Sequence, residues 1–156
     1  MLFYDADNFN PDHSIGYLVR RAHQLGVAAL DGVFAEYGLT GTQWSTLIML
    51  LAGKCETCVA LARDLAHDKG AMTRLIDQLD ERGLVVRERI SDDRRQVRVS
   101  LTPAGVDLAE RSRRAVLARW NDWLADWPRQ DVDTLVALLR RLDATLEAAE
   151  AANAAG

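Results

Sequence analysis

The sequence places long cations where a polyanion could meet them. Lys69, Gly70, Ala71, Thr73 and Arg74 open one predicted helix: small residues let the backbone approach a groove, and longer ones reach phosphates or base edges. The N-terminus of that helix adds free amides and a partial positive charge. Further on, Asp92-Asp93-Arg94-Arg95 forms a polar tip between two strand-like runs. Arginines at a turn tip can enter a minor groove and meet its negative potential. A neighbouring carboxylate can hold a guanidinium in a fixed fork, which gives Asp93 the role of bracing Arg95. The bland alternatives are an ordinary solvated helix face and a turn whose charges pair with each other.

The net charge of -4 argues against a polyanionic partner until its distribution is read. Residues 1–53 carry 2 basic and 5 acidic side chains, and residues 129–156 carry 3 and 5, so both ends are acidic. Between Arg82 and Arg98 stand six arginines (Arg82, Arg87, Arg89, Arg94, Arg95 and Arg98) against Glu88, Asp92 and Asp93. A local basic stripe binds phosphates even on an acidic molecule.

Cys55 and Cys58 form a CxxC pair, the feature that could make a thiol redox sensor. Cys58 falls in the first turn of a short predicted helix, where the dipole can lower a thiol pKa. It also falls on that helix's inner face, where cysteine acts as a small hydrophobe. Zinc would need two further ligands, and His13, His23 and His67 show no matching spacing, so no metal is expected. A glycine-rich phosphate loop, a nucleophile elbow and paired catalytic carboxylates are all missing, so neither an enzyme nor a cofactor is expected. Met1 to Asn10 holds Asp5 and Asp7 and no basic residue ahead of an apolar run, unlike a secretory leader, which points to a cytoplasmic chain. The longest apolar stretch, Leu47 to Ala52, is far short of the ~20 residues a membrane span needs.

The elements that must position these residues follow from periodicity. Ile15, Leu18, Ala22, Leu25, Ala29 and Val33 recur at helical steps within a long first helix, Ser14 to Tyr37. Thr40 with Gln43 has capping-box spacing for a second helix, Gly41 to Ala52, stopped by Gly53. Thr57 caps a short third helix with Cys58, Leu61, Ala62 and Leu65 inside. Asp68 caps a fourth that buries Met72, Leu75, Ile76 and Leu79 and ends at Gly83. The period then alternates: Leu84 to Ile90 and Val97 to Leu101 flank the tip as a hairpin. Thr102-Pro103 starts a fifth helix running to about Trp127, with Val116, Trp120, Trp123, Leu124 and Trp127 along one side. A last helix after Pro128 carries Val132, Leu135, Leu139, Leu142 and Leu146, and frays from Ala148.

Helix, turn, helix and hairpin in this order make a winged helix-turn-helix. The runs Leu61-Ala62-Arg63-Asp64-Leu65, Met72-Thr73-Arg74-Leu75-Ile76-Asp77-Gln78-Leu79, Arg82-Gly83-Leu84-Val85-Val86-Arg87, Asp93-Arg94-Arg95 and Leu101-Thr102-Pro103-Ala104-Gly105 closely resemble the MarR family. Gly38-Leu39-Thr40 with Gln43-Trp44 extends the likeness to the second helix. The resemblance implies a mostly α (α+β) fold, one domain over residues 1–156. Within it, 42–101 is the DNA-binding winged part, and 13–38 and 103–150 are dimerisation helices. It also implies a DNA-binding regulator, often a repressor, released by a phenolic or other small ligand or by thiol oxidation. The fourth helix then lies in the major groove and Arg94 or Arg95 in the minor groove.

Apolar stripes on the first, fifth and last helices exceed what one small core covers, which calls for a homodimer. A two-fold dimer spaces its recognition helices about one turn of duplex apart, ~34 Å, and expects a pseudo-palindromic site on double-stranded DNA. By resemblance, a small-molecule effector sits where dimer helices meet the winged part. Tyr17, Arg20, Gln43 and Trp44 are its candidate contacts, an aromatic wall and a cation suited to an aromatic carboxylate. Peroxide-sensing members carry their cysteine on the first helix, where this chain has none. A thiol switch at Cys55 and Cys58, or a winged helix serving as a protein-docking module, are the alternatives.

Overall fold

The computed structural model describes residues 3–5, 9–89 and 97–154. The chain divides into two compact units, Met1–Leu117 and Ala118–Gly156.

In the first unit, a short 3-10 turn, Pro11–His13, leads into α1 (Ile15–Glu36), capped by Ser14, whose side chain accepts the Tyr17 amide. Near its far end α1 buries Leu30, Val33 and Phe34. Earlier along it, Ile15, Leu18 and Leu25 of the predicted inner stripe are exposed. Gly38 turns the chain at φ 63°, a left-handed conformation that glycine adopts without strain. The capping box forms as its spacing predicts: Gln43 N donates to Thr40 Oγ1 (3.2 Å) and Thr40 N to Gln43 Oε1 (3.0 Å). It opens α2 (Gly41–Leu51).

Thr57 caps α3 (Cys58–Asp64) and Asp68 caps α4 (Lys69–Glu81). Val85–Arg89 (β1) and Val97–Leu101 (β2) pair antiparallel, Val85 opposite Leu101 and Arg89 opposite Val97. Val99 N also donates to Glu56 O at 2.7 Å, so the segment entering α3 lies along β2. Leu47, Leu61, Met72, Ile76, Leu79, Val85, Val99 and Val116 are all but fully buried together. Each such side chain contributes about 1.5–3 kcal/mol by leaving water.

Pro103 begins α5 (Pro103–Trp123). Thr102 Oγ1 accepts the Gly105 amide at 3.0 Å and itself donates to Gly83 O at 2.6 Å, tying the start of α5 to the end of α4. Gly105 rests against the Leu84 carbonyl with no room for a side chain.

In the second unit α5 ends at Trp123, four residues short of the expected Trp127. Pro128 disfavours helical backbone at the residue before it, and the chain turns through Leu124–Trp127 instead. Trp120 and Trp123 meet edge to face with ring centres 5.2 Å apart. Arg129–Ala154 form α6, 26 residues with none buried. It does not fray at Ala148, because the alanine-rich end has the strongest intrinsic helix preference.

Candidate nucleic-acid interface

The sites follow from how α4 is held. Its inner face is fixed by Met72, Ile76 and Leu79, none of which exposes any surface. Spacing then sets the opposite face: Lys69, Gly70, Thr73 and Arg74 are exposed. Ala71 departs from its expected place on the solvent side, being half-buried at the edge of the core. Thr73 Oγ1 donates back to Lys69 O (2.9 Å), so its hydroxyl proton is already used.

The N-terminus of α4 is built for close approach. Asp68 Oδ1 accepts the Ala71 amide at 3.0 Å, and a Cβ on Gly70 would stand 3.1 Å from that oxygen. Glycine therefore lets the capping carboxylate sit over the first turn. The preceding turn is tight, with Ala66 at φ 51°, a strained conformation for a residue bearing a Cβ.

Part of the arginine stripe proves to be internal bracing. Arg87 on β1 reaches across to α4, pairing with Asp77 at 2.6 Å and donating to Thr73 O at 3.3 Å. The wing's first strand thus fixes the helix beside its exposed face. Arg98 Nε pairs with Glu56 at 3.0 Å and Arg63 with Asp64 at 2.9 Å, both on the surface. Pairing was legible for none of them from composition. Strand alternation sends Arg87 and Arg98 to particular faces, but which carboxylate waits there depends on how α3 and α4 fold back. The tip residues Asp93, Arg94 and Arg95 lie outside the described residues.

The cysteines sit in surroundings that favour the neutral thiol. Cys55 is buried and donates to Asp64 Oδ2 (3.1 Å); burial first, then that carboxylate, pushes its pKa up to about 11. Cys58 is half-buried, and burial raises its pKa too, outweighing the nearby Arg87. The lowering expected from the start of α3 is not found, because desolvation outweighs the first-turn amides. The hydrogen bond from Cys55 is also the main reason the Asp64 carboxyl titrates below the usual carboxylate range. Among the described residues no group of three or more metal-ligating side chains gathers.

Of the four effector candidates, Gln43 is buried and Trp44 half-buried, side by side at the start of α2. Trp44 packs on Phe34 of α1 at 5.3 Å, and its buried Nε1–H finds no hydrogen-bond partner among the described residues. Tyr17 and Arg20 are exposed on the early part of α1. At the start of α2, a Cβ on Gly41 would stand within 4 Å of Phe34 and Val27 of α1. Tyr17 and Arg20 precede Val27 by ~15 and ~10 Å along the helix axis at ~1.5 Å per residue. Tyr17 and Arg20 thus stand about three and two helical turns before the α1 residue beside Gly41. Gln78, which sequence reasoning passed over, accepts from Gln43 Nε2 at 3.2 Å. Its only signal was a polar residue at the flank of α4's apolar stripe.

Comparison with known proteins bears on this geometry. The sequence model of the MarR family matches residues 39–97, the span from the turn before α2 to the start of β2. The multiple antibiotic resistance protein MarR of Salmonella typhimurium is 32% identical over 105 residues, 67% of this chain and 73% of that one. The apo crystal structure of wild-type MarR from E. coli superposes with TM-score 0.71 at 28% identity, over 83% of this chain and 96% of that one. NadR in complex with 4-hydroxyphenylacetate superposes with TM-score 0.76 at 23% identity, over 91% and 97%.

Proposed function

The chain belongs to the MarR family of DNA-binding transcription regulators, and from that premise we propose that it acts as a homodimeric repressor released from a pseudo-palindromic operator by an aromatic or phenolic carboxylate. The observation that carries the DNA contact is the asymmetry of α4, whose inner face is wholly buried while Lys69, Gly70, Thr73 and Arg74 stand in solvent. In this reading those residues enter the major groove, and Ala71 at the core edge keeps the first turn narrow enough to do so. Arg94 or Arg95, braced by Asp93, takes the minor groove. Arg87 contributes indirectly, by stopping α4 from rotating away from β1.

The dimer reading rests on apolar surface. Ile15, Leu18, Val19, Leu25 and Val27 of α1 are all at least 38% exposed, as are Leu135, Val136, Leu138, Leu139 and Leu146 of α6. Exposed stripes of this size on soluble chains mark association surfaces. Residues 13–38 and 103–150 are accordingly assigned to pairing and 42–101 to DNA.

The effector reading needs the dimer as well. In this reading Tyr17 and Arg20 join Gln43 and Trp44 where α1 of a second copy lies over α2 of the first. Trp44 Nε1–H would then donate to the ligand, with Arg20 facing its carboxylate. NadR is bound to a phenolic carboxylate in its own structure, in keeping with that chemistry. A ligand that prefers one spacing of the two winged parts weakens DNA binding by that preference.

The test is selection from a pool of random-sequence duplexes at two salt concentrations, with and without a panel of aromatic acids. An enriched palindrome, bound more weakly at higher salt and lost on adding one acid, is the expected result. Enrichment that no acid reverses removes the effector reading, and no enrichment at all removes the operator reading.

A further inference from the structure

We propose that Gln43 is a positioning residue for DNA reading, locking the angle of α4 from the first turn of α2. The inference rests on the reading of α4 as the recognition helix and deepens it.

Thr42 and Gln43 are consecutive on α2, yet they reach α4 near opposite ends. Thr42 Oγ1 is hydrogen-bonded to His67 Nε2 at 3.2 Å, and His67 immediately precedes the Asp68 cap of α4. Gln43 Nε2 donates to Gln78 Oε1 at 3.2 Å, in the third turn of α4. The two attachments stand eleven positions apart in the chain, one just before the cap of α4 and one in its third turn. One attachment would leave a pivot, whereas two fix a direction. Gln78 also follows Asp77, which Arg87 holds from the wing side. The recognition helix is thus tied by polar side chains to α2 on one flank and β1 on the other.

Gln43 suits this place because a primary amide both accepts and donates. Its Oε1 is committed to the Thr40 amide in the capping box, which aims Nε2 at Gln78. Gln43 is buried at 9% exposure while Gln78 is exposed, so the bond is part-buried and losing its acceptor leaves Nε2 with limited access to water. Gln43 is too deep to touch DNA, so any effect of its loss on sequence reading travels through α4. The adjacent Trp44 stacks on Phe34, which makes this turn the point where a displacement on the α1 side would reach α4.

The full-length chain is tested on two probes: a duplex enriched by the unaltered protein from a random pool, and an unrelated duplex of equal length. Gln78→Met removes the acceptor while leaving the capping box intact. It is expected to lower the affinity ratio between the two duplexes by roughly 2- to 10-fold, as loss of one part-buried hydrogen bond implies. The salt dependence should stay the same, since no cation is lost. Gln43→Met, which also opens the capping box, should lose at least as much, and the double variant should be no worse than Gln43→Met alone. Gln78→Glu keeps an acceptor for Nε2 and should keep the ratio, even if its charge weakens both duplexes equally. If Gln43→Met fails to fold, the two Gln78 variants decide. An unchanged ratio in Gln78→Met overturns the proposal, as do additive losses, or an equal fall in Gln78→Glu, which would make Gln78 itself a base contact. If the unaltered protein enriches nothing, the operator reading fails first and takes this one with it; enrichment with a negative Gln78→Met sinks this one alone.

Discussion

The winged part and the long helices treat their apolar residues in opposite ways. Between α2 and β2 nearly every large apolar side chain on a predicted inner face is covered by the chain's own neighbours, with Leu47, Leu61, Met72, Ile76 and Leu79 showing no exposed surface. Each of α2, α3 and α4 is capped by its own side chain as well. On α6 the same kind of stripe stays largely in solvent: its 26 residues include none that is buried, only Val132 and Leu142 of the stripe are half-buried, and Leu138 and Leu146 are 56% and 58% exposed. The first half of α1 behaves like α6, and its last turns behave like the winged part. Periodicity alone does not distinguish a face meant for its own core from one meant for another molecule. Burial does, and it divides the chain into a region whose own apolar cover is nearly complete and one whose cover is incomplete.

The comparison is broken most forcefully at Gly105. Any side chain there collides with the Leu84 carbonyl, which is backbone that cannot step aside. Gly105→Ala should cost on the order of 4 kcal/mol and lower the melting temperature by roughly 10 °C, read by thermal denaturation. A melting temperature within about 2 °C of the parent's would show the start of α5 to be looser than the structure has it.

On the incomplete side, the double variant Leu138→Arg with Leu146→Arg should leave the winged part folded and abolish dimerisation, followed by sedimentation and by near-ultraviolet circular dichroism. Two cations on an apolar interface would raise the dissociation constant by more than about 100-fold. Persistence of a dimer would mean that α6 faces solvent for some other reason.

Within the complete region, the brace and the wing tip are separable. Arg95→Ala should weaken binding to a selected duplex strongly, roughly 10- to 100-fold, and flatten its salt response by about one counterion while the dimer survives. Arg87→Met should weaken it by about 10-fold or less, with the salt response kept, because that arginine is spent on Asp77 and Thr73. Equal salt effects in the two variants would erase the distinction between a brace and a contact.

The smallest effect is expected at the thiols. A Cys55 pKa near 11 in place of 9.0 leaves roughly 100-fold less thiolate at neutral pH. Alkylation by iodoacetamide should be correspondingly slow at pH 8 and quicken toward pH 11, and reducing agents should leave DNA binding unchanged. The sign for stability follows. A raised folded-state pKa means the thiol's contribution is whole below pH 9 and lost as the pH climbs through 11. Rapid modification at pH 8 would return the CxxC pair to consideration as a sensor.

Much was readable in the sequence because it is local. The caps at Thr40, Thr57 and Asp68, the stop at Gly83 and the Thr102-Pro103 start each depend on a few neighbouring residues, so a short window specifies them. The buried face of α4, and with it the exposure of Lys69 and Arg74, follows from 3.6-residue periodicity alone. Two expectations about element ends were local rules overruled from nearby: Pro128 ending α5 early, and alanines carrying α6 to Ala154.

The sequence by itself determined which residues cap, turn and face inward, since those choices are made within one or two helical turns. Only the tertiary structure decided that Arg87 belongs to Asp77, that Gln43 belongs to Gln78 and that burial, not the helix dipole, sets the Cys58 thiol. The two pairings join residues 10 and 35 positions apart. The long-range packing that brings such partners together is a property of the whole core, which no window of sequence contains.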